Sequence, residues 1–331
     1  MPFSPSNPPV TDIRCEEGVC SAHVEFEADV TVIIVNYKTP HVLQRGLESI
    51  FASRQQVRYE VIVIDNASGD HSAEMVRQKF PQVRCIANQE NLGHTGGCNQ
   101  GMKLAKGRFL FLLNSDTILP DSTLNILVRY LDLHLNVGAV APRVMNVDGS
   151  VQGTVKRFPS PWAALFGRFS ILTRLFPQNP WSQHYLLYSS QHSDEPFPVD
   201  TASGAALMVR REAITRAGML DPQFFLYWND VDWCRSIWQS GLEIHCVPAS
   251  QLLHEEHHGG SRNGLRQRWK TVVNFHYGAY LYYRKWHIPH RWHPLNGIAI
   301  IGLTARAGLV MFAEQLQGVW HTVASSRNDK I

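Results

Sequence analysis

The sequence predicts an α/β chain built on a mostly parallel, doubly wound sheet, and three observations carry that prediction. Apolar runs of buried-strand type recur at 30–36, 61–64, 83–87 and 108–113. Helical patterns separate them, which is the alternation expected of parallel strands joined by crossover helices. Three of the runs end in polar clusters, at Asn36-Tyr37, Asp65-Asn66 and Asn114-Ser115-Asp116. In such sheets ligands bind beyond the carboxyl ends of the strands, so these clusters mark a cleft by topology alone.

Residues 1–28 read as a flexible leader. The β-branched run 30–36 is the first strand, and Pro40 opens a helix reaching about Ser53. The strand 61–64 ends in Asp65-Asn66-Ala67-Ser68-Gly69, a short helix spans about 72–80, and 83–87 is a third strand. An Asn- and Gly-rich loop leads into a helix ending near Ala105, followed by the strand 108–113. Asp148-Gly149 predicts a hairpin turn. Residues 158–198, rich in Pro, Trp and Ser, lack periodicity and read as a variable insertion. A strand at 204–209, a helix at 211–217, an aromatic and acidic segment at 224–241 that becomes helical, and strands at 244–247 and 251–254 close the domain. From Leu265 the tail reads as helical, aromatic and basic. No internal repeat is present.

Composition narrows the function classes. At 331 residues, 44% hydrophobic and 18% charged, the chain is globular in character, and a net charge of +3 offers no field for nucleic acid. Six cysteines without a CxxC pair read as reduced, mostly buried thiols of a cytosolic protein, and residues 1–10 lack the apolar core of a secretory signal. The longest apolar stretch, 295–312, is interrupted by Thr304 and Arg306; it reads as too short to span a bilayer, and as surface-lying or protein-packed.

Several residues carry chemistry. Asp116, at a strand end, suits a hard divalent cation that bridges a diphosphate, although aspartate after a strand is also a common turn residue. Asp65 suits the imide N–H of uracil or thymine, with Asn66 and Ser68 beside it; an Asx turn accounts for the same letters. The segment Asn91-Leu-Gly-His-Thr-Gly-Gly-Cys-Asn99 is either an anion-binding helix start or a plain turn and cap. Asp230 and Asp232 open a helix two residues apart, so one can face the cleft while the other pairs internally; both can also simply cap the helix. A helix start favours negative charge, and a carboxylate there can take a proton from an attacking hydroxyl. His254-Glu-Glu-His-His258 matches the letters of a zinc-hydrolase motif, but that motif needs one helical face. Here a strand-like run precedes it and Gly259-Gly260 follows, so a single metal-binding His at a strand end is the better reading.

Taken in order, the blocks 30–37, 61–69, 91–101, 112–117, 203–211, 224–232 and 247–261 resemble the family 2 glycosyltransferases of GT-A fold, in particular the bacterial rhamnosyltransferase-like branch. The resemblance covers about residues 30–285. It implies a GT-A type, Rossmann-like domain at 29–262, with a nucleotide-binding half at 29–150 and an acceptor and catalytic half at 151–262. A helical C-terminal extension follows at 263–331. It implies that Asn36 and Asp65, with Asn66, contact the nucleotide, that Asn91 and Asn99 lie in the loop beneath the donor, and that Asn114, Ser115 and Arg157 lie near it. Asp116 is similar to the retained acid of the family's metal motif, His254 to its late metal and diphosphate histidine, and Asp230 to the general base. Two positions depart from the pattern. Asn229 stands where the first acid of the pair is expected, and Ser236 where an Arg is expected, with Arg235 adjacent.

The implied activity is an inverting, Mg²⁺- or Mn²⁺-dependent sugar transfer. The donor is UDP- or dTDP-linked, with rhamnose the first expectation, and the acceptor is a glycan or lipid-linked hydroxyl in cell-surface polysaccharide synthesis. An inactive transferase fold used for binding is the alternative, and a zinc hydrolase a weaker one. Basic residues from Arg262 to Arg291, interleaved with Trp and Tyr, predict peripheral contact with the cytoplasmic face of the inner membrane.

Overall fold

The computed structural model describes residues 13–16, 19–22, 26–160, 173, 175–176, 178–187, 190–255, 265–288, 290 and 292–328. Within the segment read as a leader, β1 (Ile13–Glu16) and β2 (Val19–Ala22) pair as an antiparallel hairpin apart from the main sheet. The first half then alternates as expected: β3 (Ala28–Asn36), α1 (Pro40–Ala52), β4 (Tyr59–Asp65), α2 (Ser72–Lys79), β5 (Arg84–Ala87), α3 (Gly93–Leu104) and β6 (Gly107–Asn114). Next come β7 (Thr117–Ile118), α4 (Thr123–Leu133), β8 (Val137–Met145), β9 (Val155–Lys156), α5 (Pro180–Leu186), β10 (Phe197–Pro198), β11 (Thr201–Ala202) and β12 (Ala206–Arg210). The rest is α6 (Arg211–Ala217), α7 (Asn229–Gln239), β13 (Glu243–His254), α8 (Leu265–Trp286) and α9 (Pro294–Asn328).

The main sheet has the order β10-β13-β8-β12-β6-β3-β4-β5, with β7 on β13. β3 pairs parallel with β4 on one side and with β6 on the other, so the winding reverses between β3 and β6. That reversal opens a crevice at the carboxyl ends of the strands. Asn36 and Asp65 are register partners there, and Asn114 lies opposite Val35. β3 shows why the sheet is central. Val30, Val32 and Ile34 pack into the core under α1, α2 and α4, while Ile33 packs on the opposite face with Cys98 and Met102 of α3.

The helix α4 and strand β8 were absent from the sequence expectation. Leu124, Leu127, Val128 and Leu131 are buried at helical spacing and form the inner stripe of α4. The strands expected at 244–247 and 251–254 are one strand, β13, whose pairing with β8 shifts register between Val247 and Gln251. β12 runs antiparallel to both β6 and β8, so the sheet is mixed at this point. The hairpin expected at 148–149 is a tight turn joining Met145 to Val151 by an antiparallel bridge.

The tail packs on the domain through α8. Tyr282 and Leu281 bury against Phe224, and Asp232 of α7 accepts hydrogen bonds from Lys285 Nζ at 2.9 Å and Trp286 Nε1 at 2.7 Å. Burial pushes the Asp232 carboxyl above its ordinary pKa, opposed by those two donors. Asp232→Asn leaves one of the two donors without its acceptor. We expect a loss of about 1–2 kcal/mol, discounted because Lys285 is partly exposed. A lowered melting temperature with unchanged nucleotide affinity checks this; an unchanged melting temperature contradicts it.

Candidate active site

Three clusters stand at the carboxyl end of the sheet. In the first, Asn36 is fully buried; its Nδ2 donates to Asp65 Oδ1 at 2.9 Å and Ser68 Oγ at 3.2 Å. Thr39 Oγ1 donates to Asn36 Oδ1 at 2.7 Å and lies 3.2 Å from Ser115 Oγ. Asp65 also accepts from the Ser68 hydroxyl at 2.5 Å and, more weakly, from the Ser68 amide at 3.3 Å. The Asx-type turn is therefore present, and the second carboxylate oxygen of Asp65 retains accepting capacity.

The second cluster pairs two side chains of types that ligate metals. Asp116 Oδ1 lies 3.0 Å from His254 Nε2, and Asn114 Nδ2 lies 3.3 Å from the same nitrogen. Chain topology makes the contact: the end of β13 pairs with β7, bringing His254 opposite Thr117. Gln152 orients the ring. Its Nε2 donates to Asn146 Oδ1 at 3.1 Å, which turns its Oε1 toward His254 Nδ1 at 2.7 Å. An acceptor there holds the ring proton on Nδ1 and leaves the Nε2 lone pair facing the carboxylate. Such a contact fits a cation held between the two. Neighbouring ligands on an octahedral Mg²⁺, at about 2.1 Å from the ion, stand about 3 Å apart, which this pair matches. Among the described residues no group of three or more His, Cys, Asp or Glu side chains could hold a metal. The donor set therefore suits an ion that takes its remaining ligands from phosphate and water rather than an all-protein zinc cage. His254 ends the strand β13 and does not lie in a helix; 256–264, which carry the later zinc-hydrolase letters, lie outside the described residues.

The third cluster holds Asp230. Its Oδ2 accepts from the Gly204 amide at 3.1 Å and its Oδ1 from the Val231 amide at 2.9 Å. Asp230 is the second residue of α7, and the two residues before that helix, Tyr227 and Trp228, both have left-handed backbone, with φ of 67° and 63°. Such conformations are costly for aromatic residues and concentrate where a site over-determines them. Asn229, in place of the expected acid, donates from Nδ2 to His94 Nδ1 at 3.1 Å. Burial lowers the His94 pKa against the opposing pull of Asp230, so the imidazole is neutral. A cavity of about 340 Å³ joins the second and third clusters, with Asn114, Gln152, His254, His94 and Asp230 in its walls. Tyr185 also lines it, its hydroxyl pushed up to about 12 by burial.

Four expected site residues have partners inside the protein. Asn66 spends its amide inside the protein, donating to Asn91 Oδ1 and the Gly93 carbonyl and accepting from the Leu92 amide and Asn88 Nδ2. Asn91 also accepts from the Gly93 amide at 2.8 Å, so this pair holds the loop. Asn99 sits within α3, donates to the Leu220 carbonyl at 2.8 Å, and does not line the cavity. Arg157 pairs with Asp200 at 3.0 Å and lines a neighbouring cavity instead. The Gly-rich segment is not an anion cradle at its start, because the Leu92, Gly93 and His94 amides are taken by Asn66, Asn91 and the Phe225 carbonyl. Its glycines serve close approach. A Cβ on Gly101 would stand 2.4 Å from Ile33, and Gly93, at φ +73°, meets the Phe225 backbone.

A sequence profile described as "Glycosyl transferase family 2" matches residues 31–216, more than half of the chain. The chain belongs to glycosyl transferase family 2. One curated family relative is the N-acetylglucosaminyl-diphospho-decaprenol L-rhamnosyltransferase of Mycobacterium tuberculosis (strain ATCC 25618 / H37Rv). It is 25% identical over 285 residues, which cover 81% of this chain and 90% of that one. Among solved structures, the mannosyltransferase PcManGT from Pyrobaculum calidifontis, in complex with GDP-Man and Mn2+, aligns with a TM-score of 0.53 and 18% identity. That alignment covers 90% of this chain and 81% of that one. GalNAc-T7 with UDP, GalNAc and Mn2+ aligns with a TM-score of 0.53 and 20% identity. It covers 80% of this chain, which spans about half (51%) of that chain. These likenesses give this family 2 member the GT-A fold.

Gln152 and His94 were not predicted as site residues. Gln152 lies 102 residues before the histidine it orients, with no motif around it, and His94 sits inside the Gly-rich segment as one polar letter among several.

Proposed function

We propose that this family 2 enzyme transfers a sugar, with inversion, from a UDP- or dTDP-linked donor to a hydroxyl of a glycan or lipid-linked acceptor. The carrying observation is one cavity whose walls hold both His254, the partner of Asp116, and Asp230. Asp65 holds the nucleotide end of the donor at the reversal of the sheet, and the expected contact of Asn36 becomes an indirect one, since the buried Asn36 amide is spent on orienting the Asp65 carboxylate. Asp116 and His254 hold a Mg²⁺ or Mn²⁺, and the ion when bound neutralises the leaving diphosphate. Asp230 sits across the cavity, its two oxygens oriented by the Gly204 and Val231 amides, each oxygen keeping a lone pair for a substrate proton. It takes the proton of the acceptor hydroxyl as that oxygen bonds to the anomeric carbon and the nucleoside diphosphate departs. One in-line displacement inverts the centre. The M. tuberculosis relative's rhamnose and lipid-diphosphate acceptor, and the Mn2+ named with two structural neighbours, support the reading.

Nucleoside-diphosphate release from a panel of UDP-, dTDP- and GDP-sugars, with Mg²⁺ or Mn²⁺, tests it. Slow cation-dependent release from a UDP- or dTDP-sugar is expected; release from none of the panel overturns it.

The tail supports a lipid-linked acceptor. The stretch 295–312, expected to fall short of a span, lies in a helix whose residues Pro294–Phe312 are long and apolar enough to cross a membrane, with only 6% of that stretch buried. Leu295, Ile298, Ile301, Leu309 and Phe312 are all exposed. Arg306 does not interrupt this face. It turns onto α8, donating to His276 Nε2 at 3.1 Å with its guanidinium over Phe275. Burial and the Arg306 charge both lower the His276 pKa, and its Nδ1 proton is held by the Val272 carbonyl. With α8 against its Arg306 side and apolar residues exposed on the other, α9 is suited to lie in the headgroup boundary. Flotation with phosphatidylglycerol vesicles at low salt is the check: the full chain floats, and the double substitution Ile298→Glu with Ile301→Glu does not. An intact chain that stays at the bottom contradicts this docking.

A further inference from the structure

His94 and Asn229 stand in the wall of the catalytic cavity beside Asp230, and the mechanism above gives neither a task. Both are firmly placed. α3 opens at Gly93, and the His94 amide donates to the Phe225 carbonyl at 2.8 Å, which holds the start of that helix against the segment leading into α7. A Cβ built on Gly204 would stand 3.5 Å from His94 Cε1 and 3.8 Å from Asp230 Cβ, so the ring and the carboxylate border the same glycine. The ring is half-buried, with its remaining surface in the cavity.

The hydrogen bonds decide which ring nitrogen carries the proton. Asn229 Nδ2 can only donate, so at 3.1 Å it makes His94 Nδ1 the acceptor. Burial keeps the ring neutral, and its one proton is therefore on Nε2. Cys98 Sγ lies 3.8 Å from Nδ1 and 3.7 Å from Nε2. Such nearly equal distances place the sulfur over the ring face, because in the ring plane the same spacing would drive it into a ring carbon. Among the described residues no oxygen or nitrogen accepts from Nε2. An aspartate at 229 has no N–H to offer; it would draw the ring proton to Nδ1 and leave Nε2 an acceptor, or hold the ring charged. The occupant follows from the position. The cavity holds His254, on the side of the leaving diphosphate, and Asp230, where the hydroxyl attacks, so the transferred sugar fills the space between them. A neutral N–H there brings no charge to a phosphate and suits the oxygen of a sugar hydroxyl.

We propose that His94, held by Asn229 as the Nε2–H tautomer, donates to a hydroxyl of the transferred sugar and so selects the donor. The proposal rests on the transferase reading above. It makes Asn229 a positioning residue that acts through His94, in place of the acid expected there.

Proton–nitrogen correlation NMR of the imidazoles at neutral pH reads the tautomer, with His94 assigned by its loss in His94→Gln. The parent chain shows the Nε2–H form, and Asn229→Asp moves His94 to the Nδ1–H or charged form. Titration of the UDP- and dTDP-sugars of the release panel, each against UDP or dTDP alone with Mg²⁺ present, reads the contact. His94→Phe weakens binding of the nucleotide sugar by about tenfold and leaves UDP and dTDP binding unchanged; His94→Gln, which keeps an N–H donor, restores most of the affinity. Matching melting curves show that the variants fold. An Nδ1–H ring in the parent chain, or equal nucleotide-sugar affinity in His94→Phe, overturns the proposal. Nucleoside-diphosphate release by the parent chain is read on the same samples. Either of those results with release intact leaves the transferase reading standing and removes only the role of His94, whereas a parent chain that binds none of these nucleotide sugars removes both.

Discussion

Asp230→Asn lowers sugar transfer by about 10²-fold or more, the usual contribution of a positioned general base, while donor affinity stays at the parent value. The substitution keeps the shape of the side chain and one accepting oxygen for the Gly204 or Val231 amide, so the start of α7 is retained. What is lost is the lone pair that takes the hydroxyl proton. The Asn229–His94 contact does not replace it, because the Asn229 amide is the donor and His94 Nδ1 the acceptor. Single-turnover transfer and nucleotide titration on one preparation separate the two effects. Normal transfer by Asp230→Asn removes the assignment, and a matching loss of donor affinity moves Asp230 to the donor side.

Asp116→Ala has the second large effect. In the proposed site it removes one of the two protein ligands of the cation and leaves His254 facing an empty position, so cation-dependent donor affinity falls by about 10²-fold or more. The fold persists, because β7 stays paired with β13 and the Asp116 carbonyl still accepts from the Glu255 amide. Gln152→Ala gives a smaller loss of cation affinity, about tenfold, as expected for a group that orients a ligand without touching the metal. Titration of Mn²⁺ in the presence of UDP measures both. Full activity of the parent chain in excess chelator contradicts the metal site altogether.

The legible and illegible parts of this site differ in a physical way. Asn36, Asp65 and Asn114 could be placed from the sequence because each closes an apolar strand, and parallel strands of similar register put their ends together. The division of labour between Asp230 and Asp232 follows from their spacing at a helix start, and the structure gives the internal pairing to Asp232 through Lys285 and Trp286. The Asp116–His254 contact spans 138 residues, so spacing carries no trace of it; only the family resemblance suggested that both belong to the metal. Asn66, Asn91 and Asn99 have partners inside the protein that the sequence does not reveal, because Asn serves equally well for ligand contact and for loop holding. The partner of Arg157 is hidden for the same reason, since Asp200 lies 43 residues away. In the tail, composition announces an apolar helix with a charge in it. That Arg306 faces inward, onto His276, depends on the packing of α9 against α8, which a single helix's pattern does not contain.

Single displacement at Asp230 is the central claim, and the anomeric configuration of the first product tests it most directly. Proton NMR of the reaction, begun with the donor that supports cation-dependent release, reads that configuration before any equilibration. The account predicts a glycoside of opposite anomeric configuration to the donor, and one that fails to form with Asp230→Asn. A first product with the donor's own configuration would contradict it, because retention requires a second displacement that one carboxylate acting only as a base does not provide.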